Sequence, residues 1–306
     1  MQGMICPERR ASASTLTRHS NSTAALGSLE GLPLELLHMI FVELDLLTLS
    51  SIARTCSRGV AVVQSLPEHR ELMRYASSAL AALGSTRLLR YHSAWGLHQA
   101  LHSSVCWSCT GFGPFLHLPT CLRCCYRCLH KNQALWVVTP PQARDAFALL
   151  PKSLKRLPTM MSLPGKYHVG YPISRSRRCR LVSVMAAKRL ALDEGSTSTS
   201  LVRGLEAKRN AGLSLEEYYT LRWLQDASLE PPTERPLWAT SKANVPNDRY
   251  CGMASVAFPS ILDGQLERGL WCLGCDKLYH EWSPSMPAAL ASQLVALSTL
   301  GMCFKQ

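Results

Sequence analysis

The chain is 306 residues long, carries 33 Lys plus Arg against 21 Asp plus Glu for a formal net charge of +12, and is 47% hydrophobic. That length admits two domains at about 100–200 residues each, and the composition is globular, not fibrous. No apolar run approaches the roughly 18–20 residues of a membrane span, and residues 1–30 lack the apolar segment of a secretory signal, so the expected setting is intracellular, cytoplasm or nucleus, with no membrane partner. In that reducing setting the 13 cysteines read as metal ligands and buried thiols instead of disulfides.

Residues 1–28, Ser/Thr-rich with little to bury, are expected to be a disordered tail. Arg9, Arg10 and Arg18 against Glu8 alone leave an organelle presequence as the alternative. From Leu32 to Arg70 runs LPLELLHMIFVELDLLTLSSIARTCSRGVAVVQSLPEHR. Pro33 suits the first turn of a helix, and Glu35 complements the positive end of its macrodipole. Apolar residues at Leu36, Leu37, Ile40, Phe41 and Leu44, with Leu32 and Met39 beside them, form a stripe wider than one buried face. A second helix follows over Leu46 to Cys56 and a third apolar segment from Val60 to Leu66, closed by Pro67. About 40 residues rarely bury enough surface to stand alone, so this module must lean on the rest of the chain or on a partner.

The pattern LPxELLxxIFxxLDLxxLxxxxxTC, from Leu32 to Cys56, resembles an F-box. The resemblance implies docking to the SKP adaptor, and through it to the cullin scaffold, of an SCF-type ubiquitin ligase. The implied contacts are Leu32, Pro33, Leu36, Leu37, Ile40, Phe41 and Leu44. The sequence departs from many members after Cys56, Ser57 and Arg58, where Gly59 and Val60 stand in place of an aromatic. On this reading residues 29–70 are the F-box and 71–104 are linking helices. Pro67 to Gly84 is expected to be one helix, and Leu88 to Leu101 a connecting stretch of unassigned type.

Six cysteines then fall within 23 residues as Cys106-x-x-Cys109, Cys121-x-x-Cys124 and Cys125-x-x-Cys128, and a late pair, Cys272 and Cys275, follows with His280 as a possible extra ligand. Two intervening residues let a tight turn aim both thiolates at one ion, and zinc takes four such ligands. The expectation is one or two structural zinc ions with no open position for a catalytic water. Cys124 and Cys125, being adjacent, do not readily face the same ion, which favours dividing the central four cysteines between two sites. Gly111 and Gly113 are expected to supply the turning backbone.

Beyond the cluster, Ala134 to Thr139 reads as a strand, PPQARDAFALL as a helix begun by Pro141, Leu163 to Tyr167 as a turn, Cys179 to Val184 as a strand, and VMAAKRLAL as a helix. PTCLRCCYRCL, SLPGKY and LVSVMAAKRL are similar to the body of filamentous-fungal F-box proteins, which implies a substrate-receptor role without naming a substrate. Residues 193–212 are expected to be a mobile loop, Ser214 to Leu229 a helix capped by Ser214, and Ala288 to Leu300 a C-terminal helix. The expected fold is mainly α with short strands (α+β), an N-terminal three-helix F-box followed by an irregular zinc-stabilised substrate domain over 105–306.

Charge is uneven. Between Leu72 and Leu192 seventeen Lys and Arg face one acid, Asp145, so that segment carries +16 of the net +12 and the remainder carries −4. Arg175, Arg177, Arg178 and Arg180 are the candidate contacts for an acidic or phosphorylated target. A zinc-containing basic protein that binds nucleic acid, or another acidic partner outside the ligase, is the alternative. The scatter of the bases, and Trp107, Phe112, Phe115 and Tyr126 reading as core, weigh against it. The chain has no Walker loop, G-x-G-x-x-G, G-x-S-x-G elbow or carboxylate cluster, so a non-catalytic adaptor is expected.

Overall fold

The computed structural model describes residues 26–125, 128–129, 132–163, 165–169, 171–175, 178–230 and 251–267, with the side chains of 165–175 and of 251 left aside. The expected N-terminal tail up to residue 25, the late cysteine pair, His280 and the C-terminal helix lie outside these residues.

Helix α1 spans Leu34–Glu43, with Pro33 as its N-cap at ψ 152 and Glu35 in its first turn. Helix α2, Leu46–Ile52, is capped by Asp45, whose carboxylate accepts from the Thr48 amide at 2.9 Å and from its hydroxyl at 2.6 Å. Helix α3, Ser57–Ser65, is capped by the thiol of Cys56, which accepts from the Gly59 amide at 3.2 Å. Gly59 is dictated by packing: a Cβ there would lie 2.5 Å from the carbonyl oxygen of Ile52. Gly59 thus lets α3 approach the end of α2 closely.

The segment expected as one helix over 67–84 is two, α4 at Pro67–Tyr75 and α5 at Ser77–Thr86, broken at Ala76 (φ −121, ψ 23) so that Leu72 and the pair Ala79 and Leu83 reach the core from different directions. The unassigned stretch contains helix α6, Ala94–Leu101, started by Ser93. The Leu46 amide donates to the His92 carbonyl at 3.0 Å and the Ala94 amide to the Leu44 carbonyl at 3.4 Å, tying the start of α2 to the start of α6.

In chain order there follow β1 (Phe115–His117), β2 (Leu122–Cys124), β3 (Val137–Val138), α7 (Pro140–Phe147), α8 (Pro151–Leu154), β4 (Thr159–Met161), β5 (Gly165–Val169), β6 (Tyr171–Arg175), β7 (Arg180–Ser183), α9 (Val184–Asp193), α10 (Ser198–Asn210), α11 (Leu215–Gln225), β8 (Ser255–Ala257), β9 (Ser260–Leu262) and β10 (Gln265–Glu267). The strands pair antiparallel as β2-β1-β8 and β3-β7-β4, with β5-β6 and β9-β10 as separate two-stranded ladders. The architecture is mainly helical with short antiparallel strands, an α+β arrangement.

Further expectations are corrected. The strand expected over Ala134 to Thr139 is Val137–Val138 alone, because Gln133–Leu135 forms a 3₁₀ turn capped by Asn132. Residues 165–167, expected in a turn, begin strand β5. The expected mobile loop at 193–212 is largely helix α10, capped by Thr197 and burying Leu201 and Leu205. Two apolar residues one turn apart make too thin a stripe to announce a helix, yet they suffice once α11 and α7 pack against it.

One apolar cluster runs from Leu37, Phe41, Leu46, Leu49, Val62 and Val63 of the first three helices through Leu72, Leu83, Leu97 and Leu101 to Leu116, Met160, Leu181 and Val256 of the strands. The N-terminal module therefore leans on the rest of the chain, sharing its core with both three-stranded sheets. A second cluster, around Trp136, Phe147, Val184, Leu205 and Leu224, joins α7, α9, α10 and α11.

Candidate functional site

Cys106 and Cys109 sit in the loop that enters β1. The Cys106 amide donates to the Gly111 carbonyl at 2.6 Å, the Thr110 amide returns to the Cys106 carbonyl at 3.0 Å, and a bridge between Val105 and Phe112 closes the loop. The left-handed residue of this turn is Thr110 (φ 57) and not, as expected, Gly111. Gly113 is required for another reason: a Cβ there would come within 3.1 Å of the Cys106 backbone and 3.3 Å of Arg123.

The β1-β2 hairpin, paired Phe115 to Cys124 and His117 to Leu122, folds the chain back so that Cys125 arrives beside the first loop. The Leu129 amide donates to the Cys125 carbonyl at 3.0 Å, which keeps Cys128 close to Cys125. The sulfurs of Cys106, Cys109, Cys125 and Cys128 all lie within 4.8 Å of one another. Those of Cys109 and Cys125 are 3.7 Å apart, and a tetrahedral ion with bonds of about 2.3 Å separates its sulfurs by about 3.8 Å. The four donors thus match a closed tetrathiolate site, and the cluster could hold a metal ion.

Its surroundings favour anionic sulfur at some of the four positions and disfavour it at the others. Backbone amides of Cys125 and Cys128 donate to the sulfurs of Cys106 at 3.3 Å and Cys125 at 3.4 Å. Hydrogen bonds from Cys106, Cys125 and Cys128 hold the Cys109 thiol well below its ordinary range, while hydrogen bonding with Cys106 and Cys109 pushes Cys128 up. Four thiols without a cation cannot all ionise at this spacing, and a divalent ion removes that conflict. Behind the cluster, the Asn132 amide group donates to Ser108 at 2.7 Å while its oxygen accepts from the Ala134 amide at 2.9 Å, fixing the turn that carries Cys128.

Cys121 and Cys124 belong to no group of three or more ligands among the described residues. Cys121 is packed in the main core, where burial pushes its thiol up, and Cys124 is fully buried with its sulfur 3.5 Å from the Phe115 carbonyl. Adjacent strand residues alternate in direction, so Cys124 turns away from the ion position that Cys125 enters. Cys272 and Cys275 lie outside the described residues.

Of the expected adaptor contacts, Leu37 and Phe41 are 0% exposed and belong to the module's own core. Leu32 and Leu44 are half-buried against it, and Pro33, Leu36 and Ile40 are exposed. Leu36, Met39 and Ile40 share the outer face of α1, while Leu37 and Phe41 one turn apart take the inner face; Leu47 of α2 is also exposed. This division corrects the expectation of one contact set into a sealed inner pair and an outer apolar face.

Among the candidate basic contacts, Arg178 and Arg180 are exposed, and the Arg178 guanidinium donates to the Ser85 carbonyl at 2.9 Å. Arg175 ends β6, and Arg177 lies outside the described residues.

Two groupings escaped the sequence reading. Arg123 is a buried clamp that donates to the carbonyls of Ala100, Gly113, Phe258 and Pro259. Glu71, His98 and His102 come together between α4 and α6; the signal was a histidine pair four residues apart, which becomes informative only once residues 94–101 are known to be helical. No helix among the described residues is long and apolar enough to cross a membrane. No protein-family model, curated protein or solved structure matches this chain.

Proposed function

We propose that the chain is an F-box substrate adaptor of an SCF-type ubiquitin ligase, docking the SKP adaptor through α1 and α2 and presenting a target protein through the cysteine-bearing remainder. The observation that carries this reading is the outer face of α1: Leu36 at 44%, Ile40 at 42% and Met39 at 68% exposed, on a helix whose inner residues already fill a core. Three neighbouring large apolar side chains left in water on a helix are what helix-in-groove docking uses. In this role the chain is a non-catalytic subunit, and the tetrathiolate ion is zinc, holding the loop before β1 to the turn after β2. Co-expression of the full-length protein with an SKP adaptor tests the docking: wild type is expected to co-purify, and L36E/I40E to lose the adaptor while keeping its thermal midpoint. Co-purification unaffected by L36E/I40E would sink the assignment.

The exposed Arg178 and Arg180 are the proposed contact for an acidic or phosphorylated segment of the target. Equal affinity for one peptide with and without its phosphate would remove that part of the reading.

A further inference from the structure

We infer that Glu71, His98 and His102 form a second metal site, for a divalent transition ion of the zinc class held by two imidazoles and one carboxylate. Helices α4 and α6 pack against each other. His98 on α6 and His102, the residue that caps its C-terminus one turn later, both aim Nε2 at a single atom, Oε2 of Glu71 on α4, at 3.1 and 2.7 Å. The three ligand atoms lie within 4.8 Å of one another.

An ion bound at about 2.0–2.1 Å to each ligand in a tetrahedron separates its donors by about 3.3–3.4 Å, so each histidine-to-carboxylate gap has to widen by less than about 1 Å. A simple ion pair needs one ring per carboxylate. Here two rings whose centroids are 4.3 Å apart converge on one oxygen, where two imidazolium charges would repel; two neutral rings and a carboxylate sharing one cation have no such conflict. Imidazole nitrogen with carboxylate oxygen suits zinc, nickel and copper among the divalent ions.

The frame is partly rigid and partly open. The His98 side chain is 17% exposed and its ring is stacked by Trp95 at 6.3 Å between centroids, which sets its orientation. Nδ1 of His98 is buried without a partner among the described residues, so ligation by Nε2 leaves the ring proton on an unpaired Nδ1, a cost that the ion's bonds have to offset. The side chains of Glu71 and His102 are 39% and 37% exposed, which leaves the fourth position of a tetrahedral ion to water or to an outside donor. The site shares no residue with the cysteine cluster or with the docking face, so it stands or falls separately from the function proposed above. Bound, the ion staples α4 to α6, the helix whose start is tied to α2.

The test uses full-length protein with its tightly held zinc in place and free metal removed, titrated calorimetrically with Zn²⁺ and, separately, with Ni²⁺. Wild type is expected to take up one equivalent more than H102Q, or to bind its last equivalent at least tenfold more tightly, with E71Q behaving like H102Q and all three retaining the same tightly held zinc. His102 is exposed, so H102Q is expected to fold as wild type does. A metal-dependent rise of the thermal midpoint, present in wild type and absent in H102Q, is the second expected result. Identical uptake and affinity in wild type and H102Q, or no uptake by wild type beyond the tightly held zinc, would overturn the inference.

Discussion

The guanidinium of Arg123 stands over the ring of Phe258, its central carbon 5.0 Å from the ring centroid, and also donates to the carbonyl of Phe258 at 3.3 Å. Arg123 is only 3% exposed and forms no salt bridge among the described residues. Three more of its N–H groups go to the carbonyls of Ala100 at 2.6 Å, Gly113 at 2.6 Å and Pro259. Burial lowers its pKa to about 10, which still leaves it charged at neutral pH. One side chain on β2 thus joins the end of α6, the loop that carries the first cysteine pair, and the segment between β8 and β9.

Replacing Arg123 by Met fills much of the volume but strands four carbonyls. Buried acceptors left without partners cost about 1–3 kcal/mol each before relaxation, so R123M is expected to lower unfolding stability by several kcal/mol. R123K cannot reproduce the planar fork and is expected to fall between R123M and wild type. Urea unfolding reads both, and an unchanged midpoint in R123M would show that the clamp contributes nothing.

The ligand set of the cysteine cluster is separable by substitution. C109S and C125S are expected to carry less metal than wild type in elemental analysis and to unfold at lower denaturant, because an ion held by the four sulfurs would tie the loop before β1 to the segment after β2. C121A is expected to keep the ion and to lose only core packing. Loss of the ion in C121A with retention in C125S would mean that the pairing across the β1-β2 hairpin is mistaken.

Gly59 tests how α3 meets α2. G59A sets a methyl against the Ile52 backbone, and because a carbonyl cannot rotate out of the way as a flexible side chain can, the helices must part. A loss of about 1–3 kcal/mol is expected, the range of overpacked sites. A helix-stabilising gain, as Gly to Ala gives at open helical positions, would contradict the close approach.

Acid stability carries the signature of His117. It is fully buried on β1, with Nδ1 2.8 Å from the Thr120 hydroxyl, and burial, followed by the nearby His92, lowers its pKa to about 3 from the ordinary 6.5. Between those values the unfolded chain binds a proton that the folded chain refuses. Stability is therefore intact above pH about 6.5 and falls by up to about 1.4 kcal/mol per pH unit from there towards pH about 3. H117Q is expected to flatten that slope. An equally steep loss between pH 6.5 and 4 in H117Q would assign the acid sensitivity to other groups.

The sequence by itself determined the local features whose causes lie within a few residues. Pro33 marks a helix entry, and Ser214 starts α11 by accepting from the Glu217 amide at 3.2 Å while Glu217 receives its hydroxyl at 2.8 Å. The spacings Cys106-x-x-Cys109 and Cys125-x-x-Cys128 likewise hold each thiol pair close in the chain, and strand β7 running into α9 was legible from the short apolar stretch around Leu181 and Val182 followed by helix formers. What only the tertiary structure decided are the relations that depend on chain segments meeting. The hairpin return of β1 to β2 sets Cys125, and not its neighbour Cys124, beside Cys109. The burial of Leu201 and Leu205 turns an apparent loop into α10. The core shared with the sheets divides the stripe on α1 into inner Leu37 and Phe41 and outer Leu36 and Ile40. The packing of α4 on α6 brings Glu71 to histidines 27 and 31 residues away. Periodicity and capping act over one helical turn or one strand pair, whereas each of these juxtapositions is set by which surfaces bury each other, and that is a property of the folded chain as a whole.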